Sequence, residues 1–149
     1  MKVDSMDDVK SAALRLVLGK RRTEQEVTQA LIKKGYQAEQ AAEASAYFRM
    51  NGYIDHADYA RRFSHDAALI KGFGPQRIIR ELSLRGIEEE YIDTALAEIE
   101  FDIRTPMESR FGNGVRTKKE LLRIYNHFLR KGFAPAVIRK AMDALYTYE

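Results

Sequence analysis

Residues 71–87 read Lys71-Gly72-Phe73-Gly74-Pro75-Gln76-Arg77-Ile78-Ile79-Arg80-Glu81-Leu82-Ser83-Leu84-Arg85-Gly86-Ile87. Gly72 and Gly74 let the backbone turn sharply, and Pro75 presets φ for a first helical position. Ile78 and Leu82 stand four apart, on one helical face. Arg85 places a cation at the helix C-terminus, and Gly86 supplies the left-handed residue that ends it. Ile92 and Ala95 continue the apolar pattern beyond the turn. The stretch therefore predicts a helix, a glycine turn and a second helix.

The same pattern occurs twice more. Thr23–Ala44 turns at Lys34-Gly35-Tyr36, and Thr117–Met142 turns at Lys131-Gly132-Phe133. Aligned on the glycine, four positions are apolar in all three copies. They are Val27, Ile78 and Ile124; Leu31, Leu82 and Phe128; Ala41, Ile92 and Ile138; and Ala44, Ala95 and Ala141. A further helix precedes each pair, beginning near Ser5, at Asp55 and near Thr105. Thr23…Glu26, Thr105…Glu108 and Thr117…Glu120 match the capping box, in which each side chain satisfies an otherwise unpaired backbone N–H. Gly52 reads as a helix stop and Asp55 as an N-cap. No alternating pattern is long enough to predict a strand. The expected fold is all-α: three tandem three-helix repeats in an elongated, curved body, with units at 1–54, 55–99 and 100–149.

Composition removes several functional classes. The 149 residues contain no cysteine, which excludes disulfides, thiolate metal sites and thiol catalysis. No apolar run approaches a membrane span, and the first eight residues hold no signal-peptide core, so a cytoplasmic protein is expected. His56, His65 and His127 lack metal-ligand spacing, and no phosphate-binding loop occurs. Phe111-Gly112-Asn113-Gly114 reads as a linker turn, and Asn113–Arg116 as the most flexible joint. Glu88-Glu89-Glu90 favour the positive end of a helix. Neither an enzyme nor a cofactor is expected.

The middle unit carries a denser signature: Asn51-Gly52-Tyr53-Ile54-Asp55, Tyr59-Ala60-Arg61-Arg62-Phe63, Lys71-Gly72-Phe73-Gly74-Pro75, the helix with Ile78 and Leu82, and Arg85-Gly86-Ile87. In this order it resembles the RecX family of recombination regulators. Gly52, Tyr53, Asp55, Phe63, Gly72, Gly74, Pro75, Ile78, Leu82 and Gly86 carry that resemblance as structural residues. It implies a regulatory protein of DNA repair, recombination and the SOS response. Such a protein binds the RecA recombinase and its filament on single-stranded DNA. It inhibits filament extension, ATPase, strand exchange and co-protease activity. Two features depart from the family pattern: Ala67-Ala68-Leu69-Ile70 is apolar where members often carry basic residues, and His56 stands where a second acidic residue is common.

The net charge of +3 conceals an asymmetry. Residues 104–140 hold ten basic and two acidic residues, a net +8, which leaves −5 for the remainder. Lys119, Arg123, His127 and Arg130 share one outer helical stripe, and Arg77 and Arg80 lie three apart. These cations, with Lys131, Arg139 and Lys140, are the candidate contacts for a filament or for DNA. Tyr146 and Tyr148 either stack on a partner or cover the end of a core. The expected state is a monomer with no membrane contact and, at most, weak direct contact with nucleic acid. Two alternatives stay open at this point: a direct nucleic-acid-binding helical module, and a generic helical adaptor.

Overall fold

A computed structural model describes residues 5–149. Residues 1–4, on which the signal-peptide reading partly rests, lie outside the described residues. Nine helices are present among the described residues: α1 Met6–Gly19, α2 Glu24–Lys33, α3 Ala38–Met50, α4 His56–Leu69, α5 Pro75–Leu84, α6 Glu89–Ala97, α7 Arg104–Phe111, α8 Lys118–Lys131 and α9 Pro135–Leu145. Two short strands complete the set, β1 Gly114–Arg116 and β2 Tyr146–Tyr148. The fold is an all-α repeat.

The repeat is physical. All twelve aligned apolar side chains are buried, none more than 7% exposed. Each copy turns on a left-handed glycine, with φ of +106° at Gly35, +83° at Gly86 and +103° at Gly132. The next N–H, of Tyr36, Ile87 or Phe133, donates to the carbonyl five residues earlier, on Leu31, Leu82 or Phe128, at 3.2, 3.1 and 3.1 Å. That reach-back bond satisfies a carbonyl the helix leaves unpaired.

Helix starts follow local polar chemistry. The Ser5 hydroxyl accepts from Asp8 N–H at 3.3 Å. Thr23 and Glu26 form the full reciprocal box. The Asp55 carboxylate accepts from Asp58 N–H at 3.0 Å. Thr117 accepts from Glu120 N–H at 3.2 Å. The expected box at Thr105 does not form. Thr105 lies inside α7, and its N–H donates to the Asp102 carboxylate at 3.1 Å. The acidic residue outside the helix takes the capping role.

The chain divides into two compact units. The first comprises Met1–Arg62 and Leu82–Ile92, the second Phe63–Glu81 and Asp93–Glu149. Val9, Ala13, Val27, Leu31, Ala44 and Phe48 are central to the core of the first. Met107, Ile124, Phe128, Phe133, Ile138 and Leu145 are central to that of the second.

The strands revise two expectations. Asn113–Arg116 was expected to be a flexible joint, but three of these residues pair in parallel with the end of the chain: Gly114 with Tyr146, Val115 with Thr147, and Arg116 with Tyr148. Tyr146 is buried at 7% exposure, with the Arg116 guanidinium 5.3 Å from its ring centroid, whereas Tyr148 is 68% exposed. One tyrosine covers the core and the other faces solvent.

Candidate functional site

The signature around Gly74 builds a joint between helix ends. The last carbonyls of α8 and the first N–H groups of α5 both lack partners within their own helices. Here they meet. Gly74 N–H donates to the Lys131 carbonyl at 2.8 Å, and Gln76 N–H to the Gly132 carbonyl at 2.9 Å. The positive end of one helix thereby sits on the negative end of another. The approach requires glycine on both sides. A Cβ at Gly74 would lie 2.6 Å from the Gly132 carbonyl oxygen, and one at Gly132 would lie 2.5 Å from Arg77 N. Gly72 turns with φ of +70°, but Gly74 is not in the left-handed region. Its role is close approach rather than a sharp turn.

A counterpart lies in the first compact unit. The Thr23 hydroxyl donates to the Arg85 carbonyl at 2.7 Å, and the Gln25 amide to the Leu84 carbonyl at 2.8 Å. Thr23 and Gln25 precede their own turn glycine by the same intervals as Gly74 and Gln76 precede theirs. The two joints are therefore built at equivalent repeat positions, one with side chains and the other with backbone.

Cations gather on the second joint. The Arg77 guanidinium lies 3.7 Å from the Phe73 ring centroid, donates to the Arg130 carbonyl at 3.5 Å and pairs with Glu81 at 3.5 Å. Lys131 Nζ donates to the Lys71 carbonyl at 3.1 Å and sits 5.6 Å from the Phe73 centroid. Arg77 and Lys131 are thus half-buried parts of the joint. Arg80, Lys119, Arg123, Arg130, Arg139 and Lys140 are exposed. All eight candidate cations lie in the second compact unit. His127 leaves the expected outer stripe. It packs edge-on to Phe111 and Phe128 at 5.3 and 4.9 Å between centroids. Burial lowers its pKa, and Arg110, Lys131 and Arg130 lower it further.

The remaining signature residues are structural. Ile78 and Leu82 are buried, Pro75 opens α5, Gly52 takes φ of +84° after α3, and Phe63 is half-buried. Tyr53 is 52% exposed and meets the buried Phe48 edge-on.

The sequence reading missed a partly exposed ionic cluster around a buried histidine in the first compact unit. The His56 side chain is 2% exposed. Its Nε2 accepts from Glu24 N–H at 2.9 Å, so Nδ1 carries the proton and donates to the Glu88 carboxylate at 2.6 Å. Arg49 bridges Glu88 at 2.7 Å and Glu24 at 3.2 Å. Partial burial pushes the Glu88 pKa up, but hydrogen bonds from His56 and Arg49 outweigh it and hold the carboxyl at about 2. Glu88 therefore does more than favour a helix end: it ties His56 to Arg49. Only the unusual histidine at position 56 signalled this in the sequence.

Comparison with known proteins follows the same residues. The family model described as RecX, second three-helix domain, matches residues 55–96. The regulatory protein RecX of Halorhodospira halophila is 32% identical over 141 residues, covering 91% of this chain and 87% of its own length. The chain belongs to the RecX family. The regulatory protein RecX of Pectobacterium atrosepticum is also 32% identical, over 84% of this chain and 76% of its own. The RecX fold extends along the chain. The crystal structure of RecX from Lactobacillus salivarius matches with a TM-score of 0.73 at 19% identity, covering 94% of this chain and 97% of that one. A second crystal structure of a regulatory protein RecX matches with a TM-score of 0.76 at 21% identity, over 93% and 71%. RecX membership marks the chain as a regulatory protein of recombination and repair. No helix among the described residues is long and apolar enough to cross a membrane.

Proposed function

We propose that this RecX-family chain binds the RecA recombinase on single-stranded DNA and inhibits filament extension, ATPase, strand exchange and co-protease activity. The observation that carries the reading is the set of exposed cations, Arg80, Lys119, Arg123, Arg130, Arg139 and Lys140, gathered on one compact unit of a RecX-family chain. A recombinase–DNA filament is a polyanion, and a surplus of exposed cations is drawn to it. The reading takes the chain to act in the cytoplasm as a monomer, by contact rather than catalysis, with repeats at 1–54, 55–99 and 100–149.

The test is binding to bare and to recombinase-coated single-stranded DNA at matched salt, together with recombinase ATPase. Preference for coated DNA and a fall in ATPase are expected. Equal or tighter binding to bare DNA identifies a direct nucleic-acid binder instead. The triple variant Lys119→Glu, Arg123→Glu, Arg130→Glu should weaken the inhibition. Arg77 is left out of that set because it holds the α5–α8 joint, so its loss would disturb packing. Full inhibition by the folded triple variant would remove these cations from the reading.

A further inference from the structure

A cleft of about 460 Å³ opens in the second compact unit, between the end of α4, the loop before α7, and α8. Its size falls within the usual range for ligand sites, roughly 300–1,000 Å³. Two aliphatic side chains in its lining face solvent, Leu69 at 64% and Ile70 at 78% exposure. Deeper in the lining, the rings of Phe73, Phe128 and Phe133 are at most 8% exposed. Lys71, Arg110 and Lys131 also line the cleft. Two carboxylates oppose them, and Asp102 keeps its charge while accepting from the Thr105 N–H at the start of α7, so the lining retains a surplus of one cation. Glu100 is the other.

This combination specifies an occupant. Exposed aliphatic groups beside buried rings favour a bulky apolar side chain, because its burial removes apolar surface from water. The surplus of cations favours carboxylates on either side of that anchor. A nucleobase fits less well. Phe128 meets His127 and Phe133 edge-on, with centroids at 4.9 and 6.2 Å, and the Arg77 guanidinium covers a face of Phe73, so these rings are already engaged by neighbours.

We propose that the cleft is a docking site for a short acidic peptide segment of a partner protein, one bulky apolar side chain seated beside Leu69 and Ile70 and its flanking carboxylates on Lys71, Arg110 and Lys131. The site stands apart from the recombinase reading, since it requires neither DNA nor a filament.

Fluorescence anisotropy of the full chain with a labelled peptide DEDFEDE tests it, with DEDSEDE and KRKFKRK as controls. Saturable binding of DEDFEDE is expected, at least tenfold tighter than either control and weakened by salt. Ile70→Asp and Lys71→Glu alter exposed side chains, so both should fold, and each should weaken binding at least tenfold. Lys33→Glu, on the exposed side of α2, should leave it unchanged. Equal binding of DEDSEDE, or full binding by Ile70→Asp, would overturn the proposal. So would an oligothymidylate that displaces the peptide and loses affinity in the same two variants.

Discussion

At the scale of single residues, three glycines separate two demands that look alike in sequence. Gly52 has a left-handed backbone with φ of +84° and open space where a Cβ would stand. Gly74 has an ordinary backbone and no space, and Gly132 has φ of +103° and no space. Gly52→Ala should therefore cost only the left-handed penalty, about 1–2 kcal/mol. Gly74→Ala should cost the overpacking penalty, about 1–3 kcal/mol. Gly132→Ala bears both and should be the most damaging. Urea unfolding midpoints of the three variants check that order, and a Gly74 variant as stable as the parent would refute the tight joint. The sequence showed that these positions were special but not which demand each one met. A positive φ leaves a local signature, because a chain that turns must carry glycine. Close approach depends on a carbonyl some sixty residues away, and no local pattern encodes it.

At the scale of elements, the helix pairs were legible because each rests on its own period, cap and terminal glycine. Thr105 misled because the capping pattern overlapped a better acceptor, Asp102, three residues earlier. The strands were invisible, since three residues are too few to show alternation. The ionic cluster was equally hidden, because it draws one residue from each of four segments. Its effect on stability has a definite sign. The Glu88 carboxyl is held at about 2 in the folded chain against 4.5 for the free group. The stabilisation is therefore fully present above pH 4.5 and disappears as pH falls toward 2. That gap would be worth about 3 kcal/mol in a dry site. The side chain is 39% exposed, and solvent screening reduces the contribution to about 1–2 kcal/mol. Glu88→Gln should accordingly be less stable than the parent at pH 7, with the difference much reduced at pH 2.5 and gone only below pH 2. Urea midpoints at the two pH values measure it, and a difference undiminished at pH 2.5 would show that charge is not the cause.

At the scale of the whole molecule, the charge is distributed unequally between the compact units. The first holds 12 basic and 12 acidic residues and is neutral, while the second holds 13 and 10 and carries the entire +3. Association driven by that charge must depend on salt. If Lys119, Arg123 and Arg130 meet phosphates of single-stranded DNA, replacing each with Gln should lower the slope of log affinity against log salt by roughly 0.7. Titrations of recombinase-coated DNA at four salt concentrations give the slope, and an unaltered slope in the triple Gln variant would place these cations away from phosphate. The pairing of β1 with β2 acts at this scale too. It turns the chain from Gly114 to Tyr148, with α8 and α9 inside it, into a ring joined by backbone hydrogen bonds and by the contact of Arg116 with Tyr146. Closing such a ring costs chain entropy, a cost that the packing of α8 on α9 reduces by bringing the two strands near. Three residue pairs then act as a latch. A pull or a protease at the C-terminus meets that latch first, and α9 peels from α8 only after it has opened.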